Sequence, residues 1–96
     1  MYQYTLTLMR PDTTVQWYVV PDSVQAHIQT QFRDTGKMTG ENTTSEDLMI
    51  IREMSFVDKD TFFEFLFDPV ISQMLAERKV YENANGIIRV KTEKTV

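Results

Sequence analysis

The chain has 96 residues, 42% hydrophobic and 25% charged, the composition of one globular domain spanning 1–96 around a single core. Fourteen acidic side chains against ten basic ones give a net charge of −4, so the Lys/Arg excess that phosphate neutralisation requires is missing and nucleic acid is not an expected partner. With no cysteine, disulfides, thiolate catalysis and Cys-ligated metals are excluded; no apolar run reaches membrane-spanning length, and MYQYTLTLMR lacks the basic and apolar regions of a secretory signal, so the expectation is a cytoplasmic protein with no membrane contact.

Tyr2, Tyr4, Leu6 and Leu8 alternate with Gln3, Thr5 and Thr7, the period of a strand with one buried face. Pro11-Asp12-Thr13-Thr14 is turn-forming and VQWYVV, residues 15–20, is rich in β-branched and aromatic side chains, which predicts a hairpin in which Leu8 faces Trp17 and Leu6 faces Val19. Pro21-Asp22 closes that strand, and Asp22 with Gln25 resembles a capping box opening an amphipathic helix on Val24, Ile28 and Phe32 that stops at Gly36. GKMTGENTTSED has a single apolar residue, Met38, and reads as a loop with room for at most a short edge strand.

LMIIREMSFV, residues 48–57, is a second strong strand with apolar residues on both faces, which predicts a central strand covered on both sides. Asp58 is a natural N-cap for a helix carrying Phe62, Phe63, Phe65 and Phe67, and Pro69 ends it. Asp68-Pro69 then caps and starts another helix, with Val70, Ile71, Met74, Leu75 and Tyr81 inward and Gln73, Glu77 and Arg78 outward. A turn at Asn83-Ala84-Asn85-Gly86 precedes the last strand, GIIRV. The expected fold is therefore α+β: a four-stranded, mostly antiparallel sheet with helices packed on one face, in the order ββαβααβ.

Few residues suggest chemistry. The four phenylalanines span more than half of a helix circumference, so one sheet does not hide them all; core packing accounts for most, a subunit contact or a pocket wall at Phe63 for the rest. His27, the only histidine, lies beside an apolar stripe where it can serve as a general base or as a hydrogen-bonded structural residue. Arg52 breaks the apolar pattern of its strand face, which suits either a carboxylate-bearing ligand or a structural ion pair. Trp17 and Tyr4 are candidate pocket walls with equally good hairpin-core duties. Asp60, Glu64 and Asp68 at four-residue spacing form a solvated stripe without the pattern of an EF-hand, so no metal is expected; nothing resembles a phosphate loop, HExxH or GxSxG either, and no cofactor is implied.

The strand LMIIREMSFV, the Phe-rich helix DKDTFFEFLFDPVI that follows at once and the closing GIIRV together resemble the ferredoxin-like α+β family, in particular the dimeric α+β barrels, in which two sheets pack face to face. The resemblance covers most of the chain as an element order and implies a homodimer; its members include cofactor-independent monooxygenases and small-molecule isomerases. Two functions are compatible with these features. One is a small acidic homodimeric binding or accessory protein. The other is a cofactor-independent enzyme of monooxygenase or isomerase type acting on a small hydrophobic substrate, with His27 as base and Arg52, Trp17, Tyr4 and Phe63 around a cleft between sheet and helices.

Overall fold

The alternation at the N-terminus becomes β1 (Tyr2–Met9), with Tyr2, Tyr4, Leu6 and Leu8 all buried on one face. In the computed structural model, which describes residues 1–96, there follow α1 (Asp22–Ile28) with a π-helical continuation over Gln29–Arg33, β2 (Met38–Ser45), β3 (Met49–Phe56), α2 (Lys59–Phe67), α3 (Pro69–Ala84) and β4 (Ile88–Thr95). The strands form one fully antiparallel sheet in the order β2-β3-β1-β4. The four-stranded α+β class expected from the sequence is the one formed, but one strand stands elsewhere in the chain.

Residues 15–20 form no strand. Both edges of β1 are taken, one by β3 and the other by β4, so no edge is left for a hairpin partner, and the expected facing of Leu8 with Trp17 does not occur. The segment is instead a strap whose Val15, Trp17, Tyr18 and Val20 pack against the core. Arg10 ties it down: Nη1 donates to the Val15 carbonyl at 2.9 Å, Nε donates to the Asp47 carbonyl at 2.7 Å, and the guanidinium lies 4.9 Å from the centre of the Trp17 ring. From the other side Tyr81 Oη donates to the Gln16 carbonyl at 2.7 Å.

The fourth strand is β2, in the polar stretch read as a loop with a short edge strand; the edge strand is the part that forms, over eight residues. Only Met38 of its eight residues is buried, because β2 is an edge strand held by its backbone ladder to β3 rather than by side-chain burial. β3 is internal to the sheet, as its two-sided apolar pattern predicted.

Alternation and pairing sort the strands onto two faces. On the helix-covered face Tyr2 opposes Phe56, Tyr4 opposes Met54 and Glu93, Leu6 opposes Arg52 and Lys91, and Leu8 opposes Ile50 and Arg89. Phe62 of α2 packs on that face, its ring centre 5.1 Å from those of Tyr2 and Tyr4 and 5.3 Å from that of Phe56. Phe65 extends the cluster, 5.3 Å from Phe56 and edge-on to Phe32 at 5.2 Å. Burying such rings is worth about 2 to 3 kcal/mol each, so this aromatic cluster anchors the helical layer. Phe63 and Phe67 stack on each other at 6.1 Å on the outer side of α2, with Phe67 76% exposed.

Capping fixes where the helices start. Asp58 accepts from Thr61 N–H at 2.8 Å to open α2, and Asp68 Oδ1 accepts from Val70 and Ile71 N–H at 2.9 and 3.2 Å to open α3, with Pro69 at its first position. Asp22 does not cap α1. The N-cap is Pro21, and Asp22 is the first helical residue, where its charge faces the dipole. Gly86, at φ +70°, ends α3, and Ile87 N–H closes back on the Glu82 carbonyl at 2.9 Å. No helix is long and apolar enough to cross a membrane.

Candidate functional site

Between the sheet and the helices lies a cavity of about 510 Å³. It forms because the middle of the helix-covered face is not apolar throughout: the Leu6 row carries Arg52 and Lys91, and the Leu8 row carries Arg89. These long side chains hold the helices off the sheet. Leu6, Met54, Phe65, Leu66, Met74 and Leu75 give the cavity its apolar walls.

The charged part of the lining is lopsided. Five cations, Arg33, Arg52, Arg78, Arg89 and Lys91, line it in a chain of net charge −4; Glu41 is the carboxylate on the same sheet face, whereas Glu53, also part of the lining, alternates to the opposite face. Arg33 is neutralised by Glu41, Nε to Oε2 at 2.6 Å and Nη2 to Oε1 at 2.9 Å. Arg89 is neutralised by Glu82, Nε to Oε1 at 3.0 Å and Nη2 to the same oxygen. Arg52 and Arg78 are in no ion pair.

Arg78 is the unusual member. It is 7% exposed and its Nε–H meets no acceptor. Burial first, then the neighbouring Arg89 and also Arg52, hold its guanidinium below the ordinary arginine value against the pull of Glu82. Glu82, one turn further along α3, is 3% exposed. The helix was expected to turn Arg78 outward, yet Ile71, Met74, Arg78 and Glu82 form its buried stripe, and the spacing that placed Ile71 and Met74 inward places Arg78 there too. The signal was positional, and residue type concealed it. At Tyr4, which also lines the cavity, burial pushes the phenol up despite Arg78 and Arg89, so it stays a neutral hydroxyl.

Of the residues singled out from sequence, Tyr4 and Arg52 line this cavity; His27, Trp17 and Phe63 do not. His27 and Asp68 bond at 2.8 Å, Nε2 to Oδ2. Burial alone would push the Asp68 carboxyl up, but the His27 hydrogen bond and the Ile71 and Val70 N–H groups outweigh it and hold it below the ordinary value. A carboxylate only accepts, so Nε2 carries the proton. Trp17 lies under Arg10 in the strap, and Phe63 is on the outer side of α2 under Lys59. No group of three or more His, Asp or Glu side chains is arranged to hold a metal ion.

No protein-family model and no curated protein matches the chain. Solved structures do. SnoaB, a cofactor-independent oxygenase from Streptomyces nogalater, is similar over 99% of this chain and 91% of its own, with a TM-score of 0.66 at 12% identity. A dimeric ferredoxin-like protein from an uncultured marine organism is similar over 99% and 94%, with a TM-score of 0.59 at 7% identity. The chain has the ferredoxin-like α+β fold. A candidate antibiotic biosynthesis monooxygenase from Deinococcus radiodurans shares it over 100% of this chain and 92% of its own, at a TM-score of 0.59 and 8% identity. What these ferredoxin-like proteins have in common with this chain is the path of the backbone.

Proposed function

We propose that this is a homodimeric binding protein for a small, largely hydrophobic molecule held between sheet and helices. The observation that carries the reading is the cavity: its volume of about 510 Å³ falls within the range of small-ligand sites, and apolar walls with a few polar groups such as Tyr4 and Arg52 are what such sites use. The homodimer is supported by the uncovered sheet face and by the dimeric neighbour of the same fold.

A second reading, a cofactor-independent enzyme on such a ligand, is favoured by the shared fold with SnoaB. In that reading Arg52 and Tyr4 position the substrate, while His27, outside the cavity and bonded to Asp68, is not placed to act as its base. The two readings separate in one titration series. The fluorescent probe 1-anilinonaphthalene-8-sulfonate should bind at a single site and be lost on filling the cavity with Met54→Trp, provided the variant keeps its melting temperature. Unchanged binding in that variant would remove the cavity from consideration. Oxygen uptake with a bound hydrophobic phenol, abolished by Arg52→Ala, would favour the enzyme; binding without turnover leaves the binding protein.

A further inference from the structure

The charge of the cavity goes further than its volume. Arg78 is buried on α3 without an ion pair, its Nε–H unpartnered, and it faces a space also lined by Arg52, Arg89 and Lys91. Beside these guanidinium groups lies one buried carboxylate, Glu82, and it is already engaged by Arg89. An unpaired buried charge is costly, and a cluster of like charges more so, unless an opposite charge enters from outside.

We propose that the cavity takes a small molecule carrying a carboxylate on an apolar body, the carboxylate held by Arg78 and Arg52 and the body lying along Met54, Leu66 and Leu75. This rests on the reading of the cavity as a small-molecule site and names the class of its ligand. A guanidinium presents its donors as a planar fork that matches the two oxygens of a carboxylate, which is what two arginines without partners are suited to receive. Tyr4, kept as a neutral hydroxyl, offers another donor in the same lining. The apolar walls make a bare inorganic anion the poorer occupant, since it would leave the partly exposed Met54, Leu66 and Leu75 uncovered. The overall charge of −4 makes the selectivity local: an acidic protein repels anions at long range, so only one that reaches the arginines is retained.

The test compares 2-naphthoate with 2-naphthalenemethanol, which share an apolar body and differ in charge, by calorimetric titration of the intact protein. The carboxylate should bind about tenfold or more tightly than the alcohol, and the preference should disappear in Arg78→Met and shrink in Arg52→Gln. Equal binding of the two probes would overturn the inference while leaving the cavity reading intact, and no binding of either would overturn both. If Arg78→Met does not fold, Arg52→Gln decides alone: an undiminished preference there overturns the assignment.

Discussion

Glu82 follows Arg78 by one turn of α3 and accepts both donors of Arg89, so it is the counter-charge of the whole arginine cluster. Glu82→Gln keeps the shape and removes the charge, leaving buried guanidinium groups uncompensated. A loss of about 3 kcal/mol is expected in denaturant titration, the scale on which breaking one side of a buried pair acts. Arg78→Met should do the opposite, raising the melting temperature or leaving it unchanged, because it replaces an unpaired buried charge with apolar volume. In the double variant part of the Glu82→Gln loss should be recovered, and that coupling is what the proximity of the two groups demands. A large loss on Arg78→Met alone would mean that the guanidinium stabilises the fold. At this scale the sequence was readable where a residue broke its neighbours' pattern, as Arg52 does within a strand of apolar residues. Arg78 is hard to read for the converse reason: surrounded by Glu77 and Lys79, it looks like part of a solvated helix face unless the spacing from Ile71 and Met74 is followed through.

The helix pair α2–α3 depends on two aspartates, and acid should find them. Asp58 is held below the ordinary carboxylate value first by the Thr61 hydroxyl and then by the Thr61 N–H, and Asp68 is held below it by His27, Ile71 and Val70 despite its burial. A carboxyl depressed in the folded state contributes stability that is complete above the unfolded value, near pH 4, and is lost as pH falls through the lower folded value. Thermal melts should therefore decline as the pH falls below about 4. Asp68→Ala should cost about 1 to 2 kcal/mol at neutral pH, from the loss of its capping bonds and of the His27 contact, and should flatten the acid limb. If that variant melts with the wild-type pH profile, the cap contributes nothing. Local chemistry of this kind is legible in sequence: Asp58, Asp68-Pro69 and Gly86 mark their helix ends through short-range bonds. Strand identity was less so. VQWYVV has strand-forming residues but finds both sides of β1 occupied, whereas MTGENTTS has poor strand residues and pairs with β3, so tertiary pairing overrode propensity twice.

For the whole molecule, the face of the sheet away from the helices is where the proposed homodimer would form. Cross-strand rows there grade from apolar to polar: Met49, Met9 and Ile88 form one row, Ile51, Thr7 and Val90 the next, while Glu53, Thr5 and Thr92 and then Ser55, Gln3 and Lys94 follow. Ile88 and Val90 are 60% and 49% exposed in the single chain, and no helix covers them. A second copy packed on this face would bury the two apolar rows and explain why LMIIREMSFV carries Met49 and Ile51 opposite its core side. Phe63 and Phe67 offer a competing but smaller patch on the far side of α2, where Lys59 lies over Phe63 and Phe67 is 76% exposed. Light scattering over a concentration series should give twice the mass of 11.3 kDa. Val90→Glu, directly beside Thr7 and in the row of Ile51, should return the protein to monomer with its fold retained, since a charge would be buried in an apolar contact without a partner. Phe67→Glu should leave the mass unchanged. A monomer from Phe67→Glu and a dimer from Val90→Glu would reverse the assignment and move the interface from the sheet to α2.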